Sequence, residues 1–336
     1  MTKRTKSVLQ FVLFLSLGIL LLWLALRGVV NEKEKIIQSF KDANYFWVFI
    51  SLVAAFFGLF LRAYRWKYLL QPLGLNLSLK NSFAAVSTGY LANYGLPRMG
   101  EISRCTIISK YEKIPFQTAL GTVITERIVD FFLLIIIFLL TLLFQFSELI
   151  GLTQQYILNP LSLKLKPLSQ NPVFITIVAT LLVLVVLAFL LLRKKIKNSL
   201  SGKFGGILKG FAEGISSIRK MDKPIPFIIL SVLIWLMYFL GIYFCFFTFG
   251  ETSDLGLKQC LTILLFGTFG VIFTPGGIGA YHIIVQQILM FYSISSTTSF
   301  AFPWIIWGSQ FILILIAGLA SIIALPLMNK QNHAAA

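Results

Sequence analysis

The chain has 336 residues, 57% of them hydrophobic and only 12% charged, with a mean hydropathy of +0.86 and a formal net charge of +17. Soluble domains carry roughly a quarter charged residues, and a water-exposed surface this apolar would self-associate, so a soluble globular domain of any size is excluded. Hydrocarbon must solvate much of the surface, and the excess of Lys and Arg favours anionic lipid headgroups.

A helix needs roughly 20 apolar residues to cross about 30 Å of hydrocarbon. In chain order, six runs are read as full crossings: 8–26, 46–61, 118–146, 173–192, 226–249 and 303–327. They do not alternate with period two, as barrel strands would. The first run is too long for the core of a signal peptide and no small-residue cleavage site follows it, so it is read as a retained helix. Two weaker stretches stand apart. Residues 82–96 are broken up by Ser87, Thr88, Gly89, Asn93 and Gly95, and residues 258–292 by Thr274, Pro275, Gly276, Gly277 and Gly279. The second reads as two shorter helical pieces joined at a break, crossing twice or dipping in twice. Such interrupted segments mark the binding sites of transporters, because freed backbone survives at membrane depth only inside protein or beside a wet cavity.

Charge sets the orientation. Lys3, Arg4 and Lys6 precede the first run, and residues 193–223 carry nine Lys and Arg against Glu213 and Asp222. Residues 62–113 are basic as well. All these stretches fall on the cytoplasmic side only if 82–96 is re-entrant, entering and leaving from one side. The predicted fold class is therefore all-α: a polytopic integral membrane helix bundle with six crossings plus two broken or re-entrant regions, about 82–96 and 258–292. Residues 1–330 form a single polytopic domain, and residues 331–336 read as a disordered tail or cloning scar. The expected location is the cell (inner or plasma) membrane, multi-pass, with both termini cytoplasmic.

Ionisable residues near apolar helices imply partners or an aqueous cavity. Arg98, Glu101 and Arg104 fall at i, i+3 and i+6 of a helix opened by Pro97. Glu101 can pair with one arginine and leave the other for a bidentate phosphate contact; interfacial anchoring is the competing role. Glu126 and Asp130 share one face of the next helix, with Arg127 between them. They suit counter-charges for Arg98 or Arg104 better than proton coupling. Gly276, Gly277 and Gly279, followed by Tyr281 and His282, form a turn whose backbone N–H groups favour an anion, or simply a break for tight packing; no Walker motif is present. His282 is the one histidine outside the tail, a packing residue or a headgroup contact. Arg62, Tyr64, Arg65, Trp66 and Lys67 read as an interfacial anchor, with Arg62 alone a candidate to turn inward. Cys105, Cys245 and Cys260 offer no disulfide framework or metal spacing, and no metal or cofactor is expected.

The succession RAYRW, GYLANYGLPRMGEISR, TERIVD and TPGGIGAYH, spread over nearly the whole chain, resembles the flippase-like membrane domain of lysylphosphatidylglycerol synthases, in a free-standing form. The resemblance implies movement of a lipid across the bilayer and points to Arg98, Glu101, Arg104, Glu126, Arg127, Asp130 and the glycine turn. It implies no lysyl-lipid synthesis, since bifunctional members carry a further soluble aminoacyl-transferase domain. Where many members have an acidic residue shortly after the PGG turn, this chain has Tyr281 and His282.

The expected activity is therefore flippase-like translocation of an anionic phospholipid or polyprenyl-linked lipid through an Arg/Gly-lined groove. The chain is not expected to be an enzyme or to bind nucleic acid, and a homo-oligomer is compatible with the sequence. Two other functions fit the same composition: a membrane glycosyltransferase using polyprenyl-phosphate sugars, and a non-transporting lipid-binding scaffold.

Overall fold

The computed structural model describes residue 16 and residues 32–95, 99–160, 162–163 and 223–330. The predicted crossings 8–26 (apart from Ser16) and 173–192, the basic loop up to 222, Pro97, Arg98 and the tail 331–336 lie outside the described residues. Nine α-helices and no strand occur among the described residues: α1 (Lys33–Asp42), α2 (Tyr45–Leu70), α3 (Leu79–Gly95), α4 (Met99–Glu112), α5 (Phe116–Thr153), α6 (Pro224–Phe246), α7 (Leu257–Phe273), α8 (Ala280–Phe291) and α9 (Ser296–Met328). Among the described residues, four stretches are long and apolar enough to cross a membrane: Tyr45–Leu73, Phe116–Tyr156, Pro224–Phe246 and Ser296–Met328. They correspond to the predicted runs 46–61, 118–146, 226–249 and 303–327.

The chain forms two compact units. The smaller, Leu142–Arg219, contains the last part of α5, where Gln145 departs from helical backbone (φ −142°, ψ 32°). The larger, Met1–Thr141 with Lys220–Ala336, holds every candidate residue that is described.

Local sequence sets where its helices begin and end. Asn44 caps α2 by accepting the Phe46 N–H at 3.2 Å. Pro72 and Gly74, the latter at φ +71°, end the same run in a 3-10 turn. Pro224 and Pro226 sit in the first turn of α6, where a missing N–H costs nothing. Ser295 caps α9, and Glu251 accepts the Ser295 N–H at 3.0 Å.

Contacts along the helices give their directions. α2 and α6 run antiparallel: the Ser51 hydroxyl donates to the Gly241 carbonyl at 2.7 Å, while Arg65 reaches Ser231. The end where α2 finishes and α6 starts is named here the basic end. It carries Lys67, Lys80, Lys110, Lys113, Lys223 and Lys330 against Glu112, whereas the opposite end carries Lys33, Lys35, Lys41 and Lys258 against Glu32, Glu34, Asp42, Glu251 and Asp254.

α3 starts at the basic end and α4 comes back to it. The returning Glu112 carboxylate accepts from the Ser78 N–H at 3.2 Å and from Asn81 Nδ2 at 2.7 Å, both at the start of α3. The two helices touch backbone to backbone. A Cβ on Gly100 would lie 2.2 Å from the Gly89 carbonyl oxygen, and the Gly100 N–H is held by Asn93 Oδ1 at 2.8 Å. With 17 and 14 residues, they form a short hairpin. α7 and α8 form a second hairpin from the opposite end, since Tyr292 reaches back to Thr262 at 3.2 Å. The chain then enters α9, which runs to the basic end, where Asn329 and Asn81 exchange amide hydrogen bonds of 2.9 and 3.0 Å. Outward faces are apolar throughout, with Phe49, Phe57, Ile136, Ile229 and Ile316 among the exposed side chains. That is the surface lipid solvates and water does not.

Candidate functional site

Five helices converge on one buried charge cluster in the half of the unit nearer the basic end. α2 presents Arg62, Arg65 and Trp66, spaced i, i+3 and i+4 on one face. α5 presents Thr122, Glu126 and Asp130 at successive i+4 steps. α4 adds Arg104, α6 adds Ser231 and Tyr238, and α3 adds Tyr90. Arg62 lies about two turns, and Asp130 about four turns, inside its helix from that end.

Asp130 binds two arginines at once: Arg62 Nη1 donates to Oδ2 at 3.0 Å and Arg65 Nη1 to Oδ1 at 2.9 Å. Glu126 Oε2 accepts from Arg104 Nη2 at 2.5 Å. Neutral groups complete the shell. Arg65 also donates to Ser231 Oγ at 2.9 Å, and Arg62 to Tyr238 Oη at 3.1 Å, which lies 3.3 Å from Tyr90 Oη. The Arg104 guanidinium stands 4.7 Å from the Trp66 ring centre, a cation–π contact, and Trp66 Nε1 donates to Thr122 Oγ1 at 2.8 Å.

The charges do not balance. Arg62, Arg65 and Arg104 are all at least 95% buried and, among the described residues, pair only with Glu126 and Asp130. Arg127, half exposed, adds a fourth cation 3.9 Å from Asp130. Arg62 Nε, Arg65 Nε and Arg65 Nη2 are buried donors without a hydrogen-bond acceptor, and Arg65 Nη2 stands 3.9 Å from Glu126 Oε1, itself without a donor. Buried polar groups nearly always have partners, so the cluster has spare capacity for an anionic oxygen.

The second feature is the break between α7 and α8. Gly276, Gly277 and Gly279 sit at φ +60°, +80° and +79°, the left-handed region that glycine enters without a Cβ penalty. The Gly276 carbonyl accepts from Trp307 Nε1 of α9 at 2.7 Å. A Cβ on Gly276 would lie 2.4 Å from Tyr94 Cδ1, near the end of α3. The tips of the two hairpins therefore meet in direct contact, beside Trp307 and Phe311 of α9. Tyr90 and Tyr94, one turn apart on α3, link this meeting point to the charge cluster. The Tyr281 side chain packs against Gly267, and its backbone against Gly270. His282 is 1% exposed, its ring 4.0 Å from that of Trp304, with both nitrogens lacking hydrogen-bond partners.

Of the residues singled out from the sequence, Arg104, Glu126, Arg127 and Asp130 come together in one cluster. Glu101 lies on α4 with a buried, unpartnered Oε2, and Arg98 is outside the described residues. Gly276, Gly277, Gly279, Tyr281 and His282 form the separate break. Arg65 corrects the sequence reading, because it is not an interfacial anchor, whereas Arg62, the candidate to turn inward, does so. They turn inward to Asp130, a carboxylate that lies distant in sequence. Their spacing on one helical face was the available signal, together with Trp66. Nothing in the sequence singled out Tyr90, Ser231 or Tyr238.

Comparison with known proteins agrees with this architecture. Residues 8–318 match the family model described as the lysylphosphatidylglycerol synthase TM region. A UPF0104 membrane protein of Methanothermobacter thermautotrophicus is 24% identical over 285 residues, covering 76% of this chain and 78% of that protein. One of Methanocaldococcus jannaschii is 32% identical over 100 residues, 29% of this chain and 30% of that protein. No solved structure matches. The chain, a multi-pass membrane protein, thus belongs to the lysylphosphatidylglycerol synthase TM-region family.

Proposed function

We propose that this protein translocates a lipid with an anionic headgroup between the leaflets of a cell membrane, and is not itself an enzyme. The observation that carries this reading is the buried arginine excess at Arg62, Arg65 and Arg104, with open donor positions, beside two broken segments that meet inside the unit. An anionic headgroup crossing bare hydrocarbon loses its hydration, a cost of tens of kcal/mol in the idealised limit. A guanidinium donor inside protein returns about 1.5–3 kcal/mol for each charge-assisted hydrogen bond, and the surplus positive charge offsets the rest. The tails stay in lipid along the apolar outer faces. The contact of Tyr94 with Gly276 is the closed barrier of the resting state. The excess of lysine at the basic end favours its placement on the cytoplasmic side, which puts the charge cluster nearer the inner leaflet.

The test is reconstitution in liposomes carrying a trace of fluorescently tagged anionic phospholipid or polyprenyl phospholipid, with an impermeant quencher outside. Wild type should expose inner-leaflet probe well above the rate of empty vesicles, and Arg65→Gln should lose at least tenfold of that rate while still inserting. Rates equal to empty vesicles for every anionic lipid tried would replace translocation by lipid binding alone. Glycosyl transfer from a polyprenyl-phosphate sugar by the purified protein would make it an enzyme.

A further inference from the structure

The described helices fall into two series with one plan. α2, the α3–α4 hairpin and α5 make up span, hairpin, span. α6, the α7–α8 hairpin and α9 repeat that order with every direction reversed, so the first hairpin enters from the basic end and the second from the opposite end.

Details repeat too. α3 and α7 are each 17 residues long. Their starts read Leu77-Ser78-Leu79-Lys80 and Leu255-Gly256-Leu257-Lys258, and carrying that register forward pairs Gly89 with Gly267 and Pro97 with Pro275. Both glycines perform the same task. Gly89 packs on Gly100, the second residue of α4, and Gly267 packs on Tyr281, the second residue of α8. The two non-glycine residues with positive φ among the described residues, Lys113 (58°) and Ser293 (64°), each close a returning helix. In both series a glutamate ties the feet of the hairpin: Glu112 accepts the Ser78 N–H, and Glu251 the Ser295 N–H.

A repeated plan, matching from the start of each hairpin and again, two residues out of that register, after its return, is the mark of a duplicated unit, and inverted pairs with sites at the interface of the two copies are a recurrent transporter plan. We infer that residues 45–141 and 224–328 are two copies of one span–hairpin–span unit inserted in opposite directions, and that their hairpins are the opposed gates of a single path. The gate assignment rests on the translocation proposed above; the inverted relation does not. The copies have diverged in chemistry. Counting on from Lys113 and Ser293, Glu126 and Asp130 correspond to Ile306 and Gln310. The charged groups of the site thus belong to the first copy, and the second provides an uncharged counterpart.

The experiment uses full-length protein whose three cysteines are replaced by alanine. Lys80→Cys and Lys258→Cys, at equivalent exposed positions, are treated with a membrane-impermeant maleimide in sealed vesicles of each orientation. They should label from opposite sides. Labelling from the same side would overturn the inverted relation. For the gates, Tyr94→Cys with Trp307→Cys is bridged by a short bis-methanethiosulfonate, which forms a disulfide with each thiol as methanesulfinate leaves and is cleaved by dithiothreitol, each single variant serving as control. Bridging should lower lipid movement at least tenfold, and cleavage should restore it. An unchanged rate after complete bridging would overturn the gate assignment. Opposite-side labelling in a protein that moves no lipid even when unbridged would refute translocation and leave the duplication supported.

Discussion

Loss of a carboxylate from the buried cluster should cost far more than loss of an arginine. Asp130 is the clearest place to measure this, because its two oxygens hold Arg62 at 3.0 Å and Arg65 at 2.9 Å. Asp130→Asn keeps the shape and one acceptor but removes the charge, leaving two buried guanidinium groups facing each other and Arg127. Breaking a buried pair by removing one partner costs about 3–5 kcal/mol, because the remaining charge stays desolvated. Arg62→Gln moves the cluster towards neutrality. Asp130 keeps Arg65, and Tyr238 loses one donor, so about 1–2 kcal/mol is expected from the lost hydrogen bonds. The double variant Asp130→Asn/Arg62→Gln should be more stable than the two single losses add up to, with a coupling of about 1–3 kcal/mol. Thermal unfolding in nanodiscs, followed by tryptophan emission, gives the ranking. An Arg62→Gln variant as unstable as Asp130→Asn would refute the claim that the cluster carries excess positive charge.

Three further outcomes follow from the geometry. Gly100→Ala places a Cβ 2.2 Å from the Gly89 carbonyl and 2.5 Å from Asn93 Nδ2; overpacking of this kind costs about 1–3 kcal/mol, read as a lower melting temperature, and Asn93→Ala should leave the larger clash in place, because the Gly89 oxygen is backbone. Gly276→Ala meets both a φ of +60° and Tyr94 Cδ1 at 2.4 Å. About 1–2 kcal/mol of backbone strain should remain in Gly276→Ala/Tyr94→Leu, which removes only the ring clash, so the double variant recovers part of the stability lost by the single one. For Glu251 the effect depends on pH. Burial alone would raise its carboxyl pKa, but hydrogen bonds from Ser295 and Thr298 outweigh that and hold it below the ordinary glutamate value. A depressed folded-state pKa contributes stability above the unfolded value, lost as pH falls through the folded one. Wild type should therefore exceed Glu251→Gln in melting temperature at neutral pH and converge with it in acid; a constant gap across pH would contradict this.

The class of fold was legible because crossing hydrocarbon demands long apolar runs, and the runs at 46–61, 118–146, 226–249 and 303–327 correspond to long apolar helices. The turning back of the chain was legible from charge, but not its extent: 82–96 was read as entering and leaving by itself, whereas α3 (Leu79–Gly95) only enters and α4 (Met99–Glu112) is the return. Lys80, Lys110 and Lys113 cannot share a side with the other basic stretches unless the chain turns back, and Glu112 beside Ser78 shows that course. Of the arginines of α2, Arg62 was legible as a candidate to turn inward and Arg65 was not. An Arg-x-x-Arg-Trp-Lys helix end has the composition of a headgroup anchor, and it is the Asp130 carboxylate of α5, 65 and 68 residues further on, that draws Arg65 and Arg62 inward. Glu126 and Asp130 were legible as counter-charges because two acids on one face of an apolar helix need partners. Tyr90 and Tyr238 carried no signal, since an aromatic on a membrane helix packs against lipid as readily as against arginine.

The seam between α2 and α6 bears on where acyl chains travel. Ser51 hydrogen-bonds the Gly241 carbonyl, and Met237 and Tyr238 would stand 3.4 Å from a Cβ on Gly58. Such small-residue seams bring backbones too close for a hydrocarbon tail to wedge between them. A second seam, where Leu91 fills the notch at Gly318, closes α3 against α9 in the same way. Sideways entry for a lipid is shut along both lines in this closed arrangement, and the α2–α6 pair is the frame against which the α3–α4 hairpin would swing in the proposed translocation.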